Sequence, residues 1–454
     1  MDSQSRTLAQ RGPHAPTGRM ACALASALGL GVVLDMPATA FAGSTFVVNT
    51  AGDPGDPGTL SLRQAVALAQ SSDGSTVRFD ASLAGSTITL ATGAIGISHA
   101  LTIEGPGRDK LTISGADTTR IFELSCPSPG PASSVGISSL TLSHGYKSYG
   151  EGGALFSYRC DLHLSGVRVT ASHATGSGGC ILFDNGTISN SIVSGCKADV
   201  LGGGIYVRSG PGDTDIYGST IESNTAFMGG GGVFLQNTNN GTGDNRTRIF
   251  FSTINDNTVT AQSGTQYGGG GIAVHHSPLS LVYSTVYANT AYSAGGGVTF
   301  ADVFSAATSN VSRSTIVLNA AQKTPGNGLY SPATGKALVV GSIIADNFNK
   351  YGLSDLAGTI GVYSSLVQAP GDATVTGSGD LYGIDPSLGK LDVNGGPTKT
   401  LLPNPGSPVI DTVSIVYIQD QRGLPGARNG NADMGSVERQ TPEVIIFRNG
   451  FESG

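Results

Sequence analysis

The stretch GSTIESNTAFMGGGGVF, from Gly218 to Phe234, decides the fold because its parts return along the chain in altered form. FSTINDNTV with a later GGGGIAV, and YSTVYANTAYSAGGGVTF, repeat a Ser-Thr-apolar triplet, an Asn three residues later and a glycine run. The triplets are 22 to 33 residues apart, which indicates a solenoid whose coils carry loops of variable length. Their third residues form one series: Leu140, Val167, Val193, Ile221, Ile254, Val286, Ile316, Ile344 and, as its weakest member, Leu366.

Small polar residues share the position three after each member of this series. Stacked coils rise by about 4.8 Å, a spacing at which identical amides hydrogen bond to one another in a ladder. The sequence therefore predicts a polar ladder along the stack, and the same bend in every coil. Its members are Ser143, Thr170, Cys196, Asn224, Asn257, Asn289, Asn319 and Asn347.

Each glycine run precedes a short apolar segment in which alternate residues should point inward. Glycine is 68 of 454 residues, tryptophan is absent and 13% of residues are charged, a composition typical of a turn-rich β protein. We therefore predict an all-β fold, a single-stranded right-handed parallel β-helix. The expected inward residues are Ala154, Cys180, Ile205, Val233, Ile272 and Val298, followed by Phe156, Leu182, Val207, Leu235, Val274 and Phe300.

The ends of such a stack need protection, because each end leaves a strand edge unpaired. GTLSLRQAVALAQSS carries Leu60, Leu62, Val66 and Ala69 at helical spacing and predicts a short N-terminal capping helix. Beyond about residue 370 the period fails and prolines dominate, which predicts an irregular C-terminal cap. The expected division is a signal peptide 1–42, an N-terminal cap with the first coils 43–115, β-helix repeats 116–375, a C-terminal cap 376–440 and a tail 441–454.

The first residues resemble a secretory signal: three arginines, the apolar run MACALASALGLGVVL and a small-residue cleavage site ending at Ala42. A retained membrane anchor is the alternative, although the run is short for a span. Cleavage would remove three Arg and two Asp, which changes the formal net charge from −7 to −8. An acidic chain is a poor partner for nucleic acid. We expect a secreted or outer-surface protein that is monomeric and has no transmembrane segment after cleavage.

Four cysteines remain in the expected mature chain: Cys126, Cys160, Cys180 and Cys196. Four cysteines allow three pairings. We favour Cys126 with Cys160, because Cys180 falls in a column that should point into the core. For Cys180 and Cys196, a second disulfide and two buried free thiols are equally open alternatives.

Several segments resemble known families of exported bacterial β-helix proteins. LSLRQAVALAQ and ALTIEGPGRDKLTISG are similar to the opening segments of such proteins, and GGALFS and SNTAFMGGGGVF to the repeats of polymorphic outer membrane proteins. SPVIDTV with DQRGLPGARNGNADMGSVE resembles the choice-of-anchor Q region, and IIFRNGFESG a short ending seen on related exported proteins. Family members often have Cys where this chain has Leu60 and Ala432. The resemblance implies a secreted or surface-attached β-helix and no particular reaction.

One candidate site is an outward strip on the strands that follow the glycine runs, over three successive coils. A polysaccharide lyase acting on a uronic acid needs a cation for the carboxylate and a base for the neighbouring proton. Arg208 and His275 could supply these, with His276 beside the base and Tyr206, Phe234 and Gln236 as ligand-binding residues. The alternative is an ordinary solvated face. On the same alternation, Leu155, Ser157, Ile181 and Phe183 should point outward in the preceding coils.

A second candidate is the turn SHGYKSYGEGG, where Tyr146 and Lys147 could be lyase residues. His144, Tyr149 and Glu151 lie in the same turn, and His163 and His173 could be near it on the next coil. A decorated loop is the alternative. For glycoside hydrolysis two facing carboxylates are required, and Glu222 has Asn255 and Tyr287 as its counterparts, so hydrolase ranks below lyase.

No cofactor motif is present. Asp213 and Asp215 with the insertion QNTNNGTGDNRTR offer oxygen donors for Ca²⁺, but without a recognisable ligand spacing. The leading functional prediction is an adhesin-like surface protein that binds polysaccharide or a host or neighbouring cell. The alternative is a polysaccharide lyase that cleaves a uronate-containing chain by β-elimination, and a purely structural stalk is the third.

Overall fold

The computed structural model describes residues 43–127, 133–208, 212–236, 246–262, 267–301, 308–323, 326–332, 337–414, 419–427 and 430–440. The predicted signal segment 1–42 and tail 441–454 lie outside these ranges. Within them the chain is an all-β, right-handed parallel β-helix of about ten turns, so the predicted fold class is confirmed. A complete coil contributes one strand to each of four faces, which we number I to IV in chain order from the glycine run.

Face I holds the strands that follow the glycine runs. Their inward column aligns Ile205 with Val233 and Val233 with Ile272, as predicted. The strands of face I are Ile95–Ile97, Phe122–Ser125, Leu155–Tyr158, Ile181–Phe183, Ile205–Arg208, Val233–Gln236, Ile272–His275, Val298–Ala301 and Leu329–Ser331.

Face II follows after a short turn and is the longest of the four. Near its end the strand Leu356–Tyr363 runs from face I into face II and pairs with both. The other strands of face II are Thr45–Val48, Ser75–Phe79, Leu101–Glu104, Ser134–Ser138, Asp161–Ser165, Asn185–Ser189, Thr214–Tyr217, Thr247–Phe250, Leu279–Val282, Ser309–Ser312, Ala337–Val340 and Thr374–Ser378.

Faces III and IV complete each coil with shorter strands. Face III comprises Ser86–Thr89, Leu111–Ser114, Thr141–Ser143, Arg168–Thr170, Ile192–Ser194, Thr220–Glu222, Thr253–Asn255, Thr285–Tyr287, Thr315–Val317, Ile343–Ala345, Leu366–Val367 and Leu381–Tyr382. Face IV comprises Tyr146–Lys147, His173–Ala174, Lys197–Ala198, Thr225–Ala226, Thr258–Val259, Thr290–Ala291 and Ala320–Ala321. Beyond it, Phe348–Asn349 and Gly352–Leu353 form an antiparallel hairpin.

The predicted asparagine ladder is present from Asn224 to Asn347. The side-chain oxygen of Asn289 accepts the backbone N–H of Asn257 at 3.0 Å and its side-chain N–H at 2.9 Å. The same pattern links the other neighbours, and Asn347 donates to the carboxylate of Asp355 at 2.8 Å, which ends the ladder. All five asparagines are fully buried.

The ladder also explains the last glycine of each run. A Cβ on Gly204 would lie 2.9 Å from the amide nitrogen of Asn224, and one on Gly232 would lie 3.0 Å from the amide of Asn257. Glycine is therefore required where the ladder asparagine approaches from across the coil.

A second ladder accounts for the serine of the triplet. Each serine oxygen accepts the backbone N–H of the serine one coil earlier, at 3.0 to 3.3 Å, from Ser191 to Ser365. Each hydroxyl donates in turn to the carbonyl two residues before it. This ladder ends on Asp380, which accepts from the N–H of Ser365 at 3.0 Å.

The structure corrects the register of the earliest coils. On face I, Leu155 and Ile181 align with Ile205, so Ala154 and Cys180 occupy the position of the last glycine of the later runs. A slip of one residue reverses inside and outside, and Phe156 and Leu182 consequently face outward.

The same slip affects Ser157 and Phe183, which were expected to point outward and point inward instead. Ser157 and Phe183 are fully buried and aligned with Leu124 and Val207, respectively. The error arose because both glycine runs end one residue early.

On face III the triplet series is corrected in three coils. Leu142 and Val169 align with Val193 in place of Leu140 and Val167, and Val367 aligns with Ile344 in place of Leu366. Ser143 and Thr170 consequently lie outside the ladder column. The shift in the first two coils is two residues, and Leu140 and Val167 remain buried.

The helix Leu62–Ala69 confirms the predicted N-terminal element. Ser61 and Gln64 form a reciprocal capping box. Leu62, Val66 and Ala69 are buried in the main core, and the helix contacts the first strands of faces I and II. These contacts cover the N-terminal end of the stack.

The irregular C-terminal region packs along the side of the stack. Gln421 is buried against face III, where its amide donates to Ser252 O at 3.2 Å and its oxygen accepts from Thr285 at 2.7 Å. A second apolar cluster lies beneath this region and contains Val409, Met434 and Leu366. The region therefore covers the outward side of several coils.

Two disulfides are present among the described cysteines. Cys126–Cys160 joins successive coils, as favoured from the sequence, and Cys180–Cys196 lies within one coil. Cys196 occupies the ladder position, and Cys180 occupies the position of the last glycine of a run, opposite it. The second disulfide therefore takes the place of an asparagine packed on a glycine.

Candidate functional site

Face I presents a row of polar residues on its outward side. The pairing aligns Arg208 with Gln236 and Gln236 with His275. The adjacent outward column aligns Phe156 with Leu182, Tyr206 and Phe234. The predicted strip from Tyr206 onward is therefore brought together on three successive coils.

Arg208 is compensated by carboxylates of the protein itself. Its guanidinium contacts Asp184 at 2.8 and 2.9 Å and Glu151 at 3.9 Å. The ring centre of Tyr158 lies 5.3 Å from the guanidinium carbon. Asp184 also accepts the backbone N–H of Arg159 at 2.9 Å, so it is held in place beside Arg208.

A second arginine, which sequence reasoning missed, completes this group. Arg120 is 5% exposed, forms an ion pair with Glu123 at 2.7 Å and donates to the carbonyls of Gly152 and Glu151. Burial lowers its pKa from the usual value. Its guanidinium carbon lies 4.8 Å from the ring centre of Phe156, and that of Arg208 lies 5.8 Å from the same centre.

We call Arg120, Glu123, Glu151, Asp184 and Arg208 the arginine cluster. It could not be found from the sequence because Phe156 was assigned to the core and the acids come from three different coils. No carboxylate pair was expected, yet Glu151 and Asp184 both contact Arg208. The alignment of Glu222 with Asn255 and of Asn255 with Tyr287 is as predicted.

Tyr206 and Phe234 are less accessible than an exposed strip requires. Phe234 is fully buried and Tyr206 is 6% exposed, with their rings stacked at 5.6 Å. Tyr267 packs against Phe234 at 5.3 Å, and Leu182 and Leu201 belong to the same outward apolar cluster. The expectation of Phe234 on an exposed strip is wrong, because neighbouring aromatic side chains cover it.

The phenol of Tyr206 is a hydrogen-bond donor at neutral pH. Burial, followed by the charge of Glu151, raises its pKa to about 12. The hydroxyl donates to the side-chain oxygen of Gln236. Tyr206 thus orients Gln236 and is not a base at neutral pH.

His275 and His276 stack on each other with ring centres 3.8 Å apart, and Tyr267 lies 4.9 Å from His275. Gln236 lies between His275 and Arg208 in the row, so two strand spacings, about 10 Å, separate them. The imidazoles and the arginine cluster therefore border the same strip without touching.

The turn candidates lie on face IV, which is a different face. Tyr146 and Lys147 pair with the strand of His173, and the rings of Tyr146 and His173 are 5.5 Å apart. His173 and Lys197 both contact Asp199, at 3.1 and 2.9 Å. Here the expected proximity of His173 is correct.

The other residues of that turn are dispersed. His163 lies on face II, where it contacts Asp161 at 3.2 Å. His144 contacts Asp117 at 3.1 Å, and Tyr149 is fully exposed. Glu151 belongs to the arginine cluster.

Asp213 and Asp215, the candidate calcium ligands, are instead paired with an arginine. Arg248 contacts Asp215 at 2.5 Å and Asp213 at 3.6 Å. Residues 237–245 of the insertion lie outside the described ranges. A separate acidic group, Asp411, Asp433 and Glu438, brings its oxygens within 4.8 Å of one another in the C-terminal region.

Burial and backbone N–H donors both act on the carboxyl groups of Asp433 and Glu438. Burial raises the pKa of Glu438 to about 8 and that of Asp433 above its usual value. Asp433 accepts the N–H of Asp411 at 2.8 Å, and Glu438 accepts the N–H of Asp433 at 2.8 Å.

No family model matches the chain, and no curated protein matches it. Among solved structures, the crystal structure of pectate lyase Pel9A is similar, with 13% identity and a TM-score of 0.47. The match covers 87% of this chain and 96% of that chain. A likeness at this level concerns the fold and carries no argument about the site. Within the described ranges, no helix is long and apolar enough to cross a membrane.

Proposed function

We propose that this protein is an exported, monomeric β-helix that binds polysaccharide through the outward side of face I. The role is adhesin-like, with the glycan on a host or neighbouring cell as partner. The signal segment 1–42 and the resemblance to the choice-of-anchor Q and polymorphic outer membrane protein families support export to the outer surface.

The internal pairing of the arginine cluster carries this proposal. A lyase needs a cation that is available to the substrate carboxylate, whereas Arg208 already has Asp184 at 2.8 Å. Polar groups at fixed positions on this side could contact the hydroxyls of a sugar chain: Glu123 and Glu151, whose side chains are 49% and 40% exposed, and the partly exposed Gln236, His275 and His276. Polar groups held in place before binding lower the entropic cost of association.

Polysaccharide lyase is the second candidate, because His275 and Arg208 flank Gln236 on one row. In that reaction Arg208 would leave Asp184 to neutralise the uronate carboxylate, and His275 would take the proton on the adjacent carbon. The electron pair would form the new double bond as the bond to the glycosidic oxygen breaks. Tyr146 and Lys147 are the alternative lyase residues.

Two measurements on the purified chain separate these functions. With a panel of uronate polysaccharides, binding predicts a flat absorbance in the band of unsaturated products, and a lyase predicts a steady rise. With immobilised glycans, Gln236→Ala should weaken binding up to about tenfold, since a hydrogen bond from this side chain to a sugar hydroxyl would contribute about 0.5 to 1.5 kcal/mol. Asn310→Ala on the outward side of face II is the matched control. Unchanged binding by Gln236→Ala would reject face I as the binding surface.

A further inference from the structure

A groove lies on face IV at the C-terminal end of the stack, and none of its lining residues belongs to the face I site. Its main part is a cavity of about 410 Å³. An adjoining part of about 270 Å³ shares Lys323, Asn349 and Tyr351 with it. The main part is lined by Tyr292, Ala320, Gln322, Lys323, Phe348, Asn349, Lys350 and Tyr351.

The groove exists because face IV changes direction here. The antiparallel hairpin of Phe348–Asn349 and Gly352–Leu353 follows Ala320–Ala321, and Phe348 N–H donates to Asn319 O at 3.0 Å. The N–H of Tyr351 donates to the side chain of Asn349 at 2.8 Å, which fixes the tip. Ala320 continues the outward column of Thr290 with a smaller side chain, and this leaves the floor open.

Aromatic rings form one side of the groove. Tyr351 is 75% exposed and Phe348 is 46% exposed, although both are held on a hydrogen-bonded hairpin. Exposed aromatic rings on an ordered element are typical of binding sites, because they offer large contact area at low entropic cost. The C–H face of a pyranose ring is a natural partner for such a surface.

The charge of the groove selects the ligand class. Lys323 and Lys350 line its main part without any acidic residue, and Asp372 lines the adjoining part. Among the described residues neither ammonium group is in an ion pair, and Lys350 lies 4.9 Å from the ring centre of Tyr351. The chain as a whole has a net charge of −7. A cationic aromatic groove on an acidic protein favours an anionic ligand with apolar ring faces.

We propose that this groove binds a strand of uronate-containing polysaccharide. Tyr351 and Phe348 contact the sugar rings, and Lys323 and Lys350 contact the carboxylates. The site shares with the proposed function the premise that the protein meets polysaccharide, but it lies on a different face and needs no residue of the arginine cluster.

The test measures binding of labelled oligogalacturonate to the full chain by fluorescence polarisation, with a neutral cello-oligosaccharide of equal length as the comparison. The double variant Lys323→Gln with Lys350→Gln should weaken binding of oligogalacturonate about tenfold, as expected for two exposed charge contacts. Lys110→Gln with Lys390→Gln makes the same change in net charge elsewhere and should leave it unchanged. Tyr351→Ala, at an exposed position, should weaken it independently of salt, whereas added salt should weaken wild-type binding.

An equal loss of oligogalacturonate binding in both lysine double variants would refute the groove as the binding site, since the effect would then come from net charge. The absence of oligogalacturonate binding by the wild type would overturn it as well. The variant Gln236→Ala separates the two proposals. Loss in Gln236→Ala with no loss in the groove variants rejects the groove alone, and the reverse result rejects face I alone. Unchanged circular dichroism of every variant shows that the fold is intact.

Discussion

Replacing Asn289 by alanine should destabilise the stack more than most single substitutions do. Asn289 lies in the middle of the asparagine ladder and is fully buried. Its oxygen accepts two N–H groups from Asn257, and its amide donates to Ile254 O and to Asn319 at 2.9 Å each. Alanine would remove all four of these buried hydrogen bonds. The side-chain N–H of Asn257 would keep its bond to Ile221 O, and the oxygen of Asn319 would keep the backbone N–H of residue 289.

The expected loss follows from these four contacts. A buried donor or acceptor left unsatisfied costs about 1 to 3 kcal/mol, and part of this is recovered as the ladder relaxes. We expect a loss of about 4 to 6 kcal/mol in the free energy of unfolding. Asn224 begins the run of asparagines and makes three such side-chain bonds, so Asn224→Ala should cost less than Asn289→Ala.

Urea unfolding followed by far-ultraviolet circular dichroism measures this difference. Asn404→Ala is the matched control, since Asn404 is exposed, and should change stability by less than about 0.5 kcal/mol. Hydrogen exchange at the amide of Asn257 should accelerate in the Asn289 variant. A loss below about 1 kcal/mol, similar to that of the control, would refute a stabilising ladder.

Three other predictions concern the ladder end, the C-terminal region and a disulfide. Burial raises the pKa of Asp355 to about 7, above the ordinary value of 3.8; its stabilising contribution is therefore full below pH 3.8 and is lost as the pH rises through about 7. Asp355→Asn should flatten the fall of stability across that window in pH-dependent melting, and an unchanged slope would contradict the assignment. Gln421→Ala removes buried contacts to Ser252 and Thr285 and should weaken docking of the C-terminal region by about 2 to 4 kcal/mol, seen as faster limited proteolysis there; equal cleavage rates would argue against docking. Replacing both Cys126 and Cys160 by serine removes a disulfide between residues 34 apart in sequence and should lower the free energy of unfolding by about 4 kcal/mol. Urea unfolding measures this loss, and the reduced wild type should lose at least as much stability.

The sequence by itself determined the β-helix, its period and the inward columns from Ile205 onward. It did so because each coil repeats the same backbone bend, and a repeated bend selects the same residue types: asparagine for the ladder, glycine opposite it and serine at the next corner. Such constraints are local and recur often enough to be visible without coordinates. The capping helix was also predictable from a local pattern, since Leu62, Val66 and Ala69 recur at helical spacing.

The tertiary structure alone decided which polar groups meet. Arg208 finds Asp184 one coil away, at a separation of 24 residues, but only in the corrected register that aligns Phe183 with Val207. Gln421 finds Ser252 at a separation of 169 residues, over which no period applies. Phe156 and Leu182 were misplaced because alanine and cysteine stand where later coils have the last glycine of the run. The burial of Phe234 and the groove beside Tyr351 depend on how side chains and a hairpin pack over a finished stack, and packing is a property of several coils together.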